Sequence, residues 1–179
     1  STVMAALAND GTVNAAKKVE DLYQRMVNRF ESEISQNKRA AKNVQPDIYC
    51  YNSIIFAWAN VGTIESCQRA EDHLDRLLLD DSSIGPDSSS FSSLIKGCSQ
   101  RTDPAAAADC ERILSKKEEY QRDNRSITVN LADYYQTINR YHNDKDPEGC
   151  LRILESLLRQ LEVMGNRTTS NPDQLIIVY

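Results

Sequence analysis

The feature that most constrains this chain is the regular spacing of its five prolines. Three of them precede an aspartate and open an apolar segment; these are Pro46, Pro86 and Pro172. The position midway between the last two holds Val129-Asn130, 43 residues from each. The other two prolines, Pro104 and Pro147, each follow an aspartate and also lie 43 residues apart. Proline and aspartate both favour the start of a helix, so the spacing predicts alternating first and second helices in units of 40 to 43 residues.

The segments between the prolines carry apolar residues three and four places apart, which lie on one face of a helix. First helices are predicted where an aromatic residue opens this pattern, at 51–60, 91–100 and 134–143. Second helices are predicted at 11–26, 62–77, 102–114 and 145–157. The sequence has no alternating β-branched run with a hairpin turn, so the predicted fold class is all-α. In the last of the first helices, either Tyr134 or Tyr135 fits as the core aromatic.

These units predict one helical-repeat domain that covers residues 1–179. Its approximate units are 1–45, 46–85, 86–128 and 129–171, with the start of another at 172–179. The length is enough to bury a core without disulfides or a metal.

The composition argues against several functional classes. The chain is 40% hydrophobic and 26% charged, an ordinary globular composition, and no apolar run is long enough to span a membrane. It has no phosphate-binding glycine loop, nucleophile elbow or His-Glu-x-x-His motif, so we predict no enzyme and no small-molecule substrate. The five cysteines form no C-x-x-C pair and the two histidines lack ligand spacing, so we predict no metal and no cofactor.

One stretch carries a recognisable motif: residues 46–87 read PDIYCYNSIIFAWANVGTIESCQRAEDHLDRLLLDDSSIGPD. A Pro-Asp, a Tyr-Asn pair, an Ile-Ile pair and a glycine turn precede an amphipathic segment that runs to the next Pro-Asp. This order resembles the pentatricopeptide repeat family, and weaker versions of it follow over 86–129 and 129–172. The resemblance implies stacked antiparallel helical hairpins that form a right-handed α-solenoid with the first helices on the concave side. It also implies a longer protein of a mitochondrion or plastid, soluble or peripheral to a complex.

In the family that the chain resembles, each repeat reads one base of single-stranded RNA with two residues. Carried over by position, the first pair is Asn52 with Asp87, which resembles a uracil-reading combination. The second pair is Ser92 with Asn130, which resembles an adenine-reading combination. Tyr49 stands where a side chain stacks on a base. A third pair, Tyr135 with Asp173, fits no such combination.

The charge of the chain weighs against RNA binding. The formal net charge is −5, and the first helices taken with their starts, 47–60, 87–100 and 130–143, hold three aspartates against two basic residues. Those residues are Asp47, Asp87 and Asp133, and Lys96 and Arg140. Ser89 and Ala132, at the positions equivalent to Tyr49, offer little surface for stacking on a base.

The sequence therefore favours a non-catalytic protein-binding scaffold or structural subunit of a large organellar assembly, whose partners are other protein subunits. Candidate interaction residues are the aromatics Tyr49, Phe56, Trp58 and Tyr135, although aromatics at helical spacing usually pack inside. The alternative function is sequence-specific binding of single-stranded RNA in organellar RNA processing, stability or translation.

Overall fold

The computed structural model describes residues 2–36, 45–79, 84–124, 127–128 and 130–169, with side chains described as far as Met164. Within these ranges the chain forms α-helices and no strands, which confirms the all-α prediction. The helices are α1 (Thr2–Ala8), α2 (Val13–Gln36), α3 (Ile48–Ala59), α4 (Ile64–Leu79), α5 (Ser88–Gln100), α6 (Ala106–Asp123), α7 (Leu131–Asn143) and α8 (Pro147–Thr169). The predicted start of another unit at 172–179 lies outside the described residues.

Three first helices begin directly after a polar residue that caps them. The Asp47 carboxylate accepts a hydrogen bond from the Cys50 backbone N–H at 3.0 Å and so caps α3. Asp87 caps α5 in a reciprocal arrangement with Ser90, and Asn130 caps α7. These caps satisfy N–H groups that have no partner inside the helix. In the two Pro-Asp pairs that lie within the described residues, Pro46-Asp47 and Pro86-Asp87, the proline therefore lies one residue before the cap.

Pro104 and Pro147, which each follow an aspartate, differ in their positions relative to the helix starts. Pro147 is the first residue of α8, and the Asp146 carboxylate accepts a hydrogen bond from the Gly149 N–H at 2.9 Å, as predicted. Pro104 lies in a turn two residues before α6 begins. There the Asp103 carboxylate binds the Arg101 side chain at 2.7 Å through both of its oxygens, and it also accepts a hydrogen bond from the backbone N–H of Ala105, directly before α6, at 3.1 Å.

The helices pack in four consecutive pairs, α1 with α2, α3 with α4, α5 with α6, and α7 with α8. Each first helix also contacts the first helix of the next pair, and each second helix contacts the first helix of the next pair. The buried side chains of this core include Ile54, Ile55, Phe91, Leu94, Ile95, Ile113 and Leu114. No helix in the described ranges is both long and apolar enough to cross a membrane.

The core aromatic of α7 is Tyr134. Its side chain is 2% exposed and its hydroxyl donates a hydrogen bond to the Glu118 carboxylate at 2.6 Å, whereas Tyr135 is 68% exposed. Burial and the bond to Glu118 raise the pKa of the Tyr134 phenol. Tyr134 therefore corresponds to Phe91 of α5, which lies 43 residues earlier in the chain. Of the two tyrosines, Tyr134 is the core aromatic.

Candidate functional site

A groove runs along the first helices and consists of two adjoining cavities. The first has a volume of about 530 Å³ and is lined by residues of α1, α3 and α5, together with the cap residue Asp87. The second has a volume of about 330 Å³ and lies mainly between α5 and α7. Phe56, Ser89 and Ser93 line both cavities. We call these two cavities the first-helix groove.

The structure brings together the first pair predicted from the sequence. The Asn52 side-chain amide on α3 donates to both carboxylate oxygens of Asp87 at 3.1 Å. The Ser90 hydroxyl donates to Asn52 Oδ1 at 2.6 Å. Both Asn52 and Asp87 are partly exposed and line the first cavity. Because the Asp87 carboxylate also caps α5, the geometry of the pair is fixed by the junction between the two helices.

The second predicted pair is also in contact. The Asn130 amide donates to Ser92 Oγ at 3.2 Å, while its oxygen accepts from the Ala132 N–H at 3.0 Å. Ser92 in turn donates to Asp133 Oδ2 at 2.9 Å. Both members of the pair line the second cavity.

A buried ion pair lies beneath the second pair. Lys117 Nζ on α6 reaches Asp133 Oδ2 on α7 at 2.6 Å and lies 3.5 Å from Ser92 Oγ. The side chains of Lys117 and Asp133 are 3% and 1% exposed. Sequence reasoning missed this contact. The one signal available was a lysine on the apolar face of α6, three and four places after Leu114 and Ile113.

Of the third predicted pair, one residue lies within the described part of the chain. Tyr135 is exposed on α7, and its predicted partner Asp173 lies outside the described residues.

The aromatic interaction candidates differ in accessibility. Tyr49 lines the first cavity and is 67% exposed, and Phe56 is partly exposed between the two cavities. Trp58, in contrast, is 3% exposed and packs in the core, with the guanidinium of Arg69 4.5 Å from its ring centroid. The assignment of Trp58 as an interaction residue is therefore corrected: its side chain is a core residue and presents little surface to a partner.

The groove is less acidic than the sequence suggested. The charged residues that line its two cavities are Asp87, Lys96 and Asp133, and the charge of Asp133 is neutralised by Lys117. Arg140, counted as a groove cation, is instead buried and binds Asp144 and the Arg101 carbonyl. Many acidic side chains of one second helix form ion pairs with basic side chains of the next second helix. The contacts are Glu20–Arg69, Glu71–Arg112, Glu71–Lys116, Asp75–Lys116 and Glu111–Arg152.

The described side chains offer little for covalent or metal chemistry. Among them, no group of three or more His, Cys, Asp and Glu residues is arranged to hold a metal ion. All five cysteines are free thiols, and burial raises the pKa of the Cys110 thiol to about 12. Hydrogen bonding to Cys98 lowers the pKa of Cys67, but both thiols are buried. A reactive thiol needs both a low pKa and access to its substrate.

Comparisons with known proteins identify no relative. No protein-family model matches the chain, and neither curated proteins nor solved structures gave a match.

Proposed function

We propose that this chain is a non-catalytic helical-repeat module that forms a right-handed α-solenoid of stacked antiparallel hairpins. The pattern of helix contacts supports this proposal, because each pair packs on the next through its first helix in the same way three times in succession. Such stacking gives each repeat an equivalent surface and forms an extended groove.

The ligand that this groove suits best is single-stranded RNA. The observation that carries the proposal is the contact within both predicted pairs, Asn52–Asp87 and Ser92–Asn130, each formed across neighbouring first helices. Each pair combines hydrogen-bond donors and acceptors at the edge of a cavity, as reading an unpaired base requires. Tyr49 adds an exposed ring beside the first pair, on which a base can stack.

The near-neutral groove implies weak binding with little salt dependence. Lys96 is the exposed cation among the residues that line the two cavities, so few counterions are released when a phosphate backbone enters. Base contacts therefore supply most of the binding free energy. This makes selectivity between bases a sharper test than affinity.

Two reciprocal double variants test base reading. In N52S/D87N, the first pair becomes a copy of the second, and in S92N/N130D the second becomes a copy of the first. The wild type is expected to bind an otherwise abasic RNA strand best when it carries one uridine next to one adenosine, in one of the two orders. We expect N52S/D87N to prefer two adenosines and S92N/N130D to prefer two uridines, each by about tenfold in Kd, measured by fluorescence anisotropy.

Each variant is the control for the other, because both keep a capping residue at the helix terminus. A change of preference in the same direction in both variants would reject base reading. Base reading would also be rejected if the variants bind every dinucleotide equally and the wild-type Kd differs by less than twofold between dinucleotides.

A second candidate function is that of a protein scaffold, and one surface favours it. Four exposed leucines on α8, Leu151, Leu154, Leu158 and Leu161, form a row on one helical face. Leu154 and Leu161 lie 43 residues after Glu111 and Glu118 of α6, which contact the next helix pair through Tyr141 and Tyr134. The row thus occupies the positions through which the preceding second helix, α6, contacts the next helix pair. It suits a partner helix with an apolar face.

The scaffold candidate predicts a partner held through this row. We expect L154E/L161E to lose any stoichiometric protein partner that survives nuclease treatment, while L131E, at an exposed leucine on α7 outside the row, retains it. Retention of the partner by L154E/L161E, or its release by nuclease, would count against the scaffold. Quantitative pull-down followed by mass determination of the complex supplies the measurement.

A further inference from the structure

A repeated ion pair joins each second helix to the next one. Three glutamates occupy one equivalent position, directly after a buried residue of α2, α4 and α6; they are Glu20, Glu71 and Glu111. Each binds a basic side chain on the following second helix, and these are Arg69, Arg112 and Arg152 in turn. Within this chain, the earlier second helix therefore supplies an acid and the incoming one supplies a base.

The series of glutamates ends at α8. The equivalent position there, directly after the buried Ile153, holds Leu154. Leu154 belongs to the leucine row of α8, whose members are 43–58% exposed: Leu151, Leu154, Leu158 and Leu161. A helix that docks on α8 therefore gains by burying leucine side chains at the place where the other second helices offer a glutamate.

The spacing of the leucine row is that of a coiled-coil seam. Successive leucines lie three, four and three residues apart, which is the spacing of the a and d positions of a heptad. At this spacing, side chains of two helices pack into the gaps between each other. A helix with an apolar seam of the same spacing matches the row in geometry.

A line of acidic side chains borders the leucine row. Glu148, Glu155 and Glu162 are exposed and lie seven residues apart, at the e positions beside the seam. None of the three forms an ion pair within the part of the chain that the structure describes. Charges at e positions select partners by their complement, so this line favours a helix that carries bases along its seam.

A second copy of the chain matches this surface poorly. If two α8 helices pack antiparallel, each e position faces an e position, and glutamate faces glutamate. If they pack parallel, the e positions face the g positions, which carry no charge: Cys150, Leu157 and Met164. Neither arrangement gives the glutamates a counterion.

We propose that the leucine row of α8 docks an amphipathic helix of another protein, whose apolar seam is bordered by lysine or arginine residues that meet Glu148, Glu155 and Glu162. This inference rests on the scaffold candidate and names the kind of partner that the row takes. It extends the arrangement within the chain, in which the incoming helix brings the base.

Two labelled peptides of about four heptads test the proposal. Both carry isoleucine at a and leucine at d, and they differ only at e and g, which hold lysine in the basic peptide and glutamate in the acidic one. Like charges at e and g keep each peptide from pairing with itself. By fluorescence anisotropy at low salt, we expect the wild type to bind the basic peptide about tenfold more tightly than the acidic one.

Two variants separate the leucine row from the glutamates beside it. L154E/L161E is expected to weaken binding of the basic peptide by about tenfold or more, although its two added negative charges would strengthen a purely electrostatic association. E155K/E162K keeps the row and is expected to prefer the acidic peptide. The matched control E31K/E65K makes the same change in net charge at exposed glutamates of α2 and α4, and is expected to keep the wild-type preference.

The outcomes distinguish the partner's chemistry from the scaffold candidate. Equal binding of the two peptides by the wild type, with loss of both in L154E/L161E, would overturn the basic partner and leave the row as a docking surface. Absence of saturable binding of either peptide up to about 1 mM would also overturn the proposal, and the pull-down with L154E/L161E then decides on the scaffold separately. A wild-type dimer in light scattering that L154E/L161E converts to a monomer would assign the row to a second copy instead.

Discussion

The Lys117→Met variant is expected to lower the free energy of unfolding by about 3–5 kcal/mol, the largest effect of any single substitution proposed for this chain. The substitution leaves the Asp133 carboxylate with Ser92 as its remaining partner, in a site where the side chain is 1% exposed. A buried charge without a counterion retains its desolvation cost but loses the attraction that offset it. Urea unfolding monitored by circular dichroism measures the change.

The matched control is the double variant K117M/D133L. Replacement of both charged groups by apolar ones removes the cost of an unpaired charge, so most of the lost stability is expected to return. If the double variant is as unstable as Lys117→Met alone, the loss comes from packing and the ion pair is not the cause.

The Gly97→Ala variant is expected to destabilise the fold by about 2–3 kcal/mol, although alanine is the better helix former. A Cβ atom at Gly97 of α5 would lie 2.5 Å from the backbone oxygen of Ala59 and 2.7 Å from its Cβ, at the end of α3. Backbone atoms cannot move aside as a flexible side chain can, so the two first helices must separate. Thermal or urea unfolding gives the change in free energy.

Gly62→Ala controls for this prediction, because nothing lies within 4 Å of a Cβ built at Gly62. Its φ of +74° makes alanine cost about 1 kcal/mol through backbone strain alone. Equal losses from the two variants, or a gain in stability from Gly97→Ala, would contradict the close contact between α3 and α5.

The sequence predicted the features that depend on short stretches of chain. The Pro-Asp pairs located the starts of α3 and α5, because an aspartate cap acts on a backbone N–H three residues away. The pairing of Asn52 with Asp87 was carried over by position from the family that the chain resembles, and the structure places the two side chains in contact across neighbouring first helices.

Features that depend on packing between units could not be read in the same way. The apolar periodicity fitted either Tyr134 or Tyr135 as the core aromatic, because both alignments place apolar residues on one face of the helix. The burial of Tyr134 decides between them. Trp58 was a candidate interaction residue although its helical spacing favoured a core position, and its 3% exposure decides for the core. Asp133 was counted as groove charge because its partner, Lys117, lies 16 residues away on another helix.

Binding of single-stranded RNA by the first-helix groove, through its paired polar residues, is tested most directly by an anisotropy titration of the wild-type chain. We expect an otherwise abasic RNA strand with one adjacent uridine and adenosine to bind with a Kd on the order of 10–100 µM. The dependence of log K on log salt should have a slope of about −0.7, as expected for roughly one neutralised phosphate. Equal binding of a strand with two guanosines, or no saturable binding of the uridine–adenosine strand in either order, would contradict the claim.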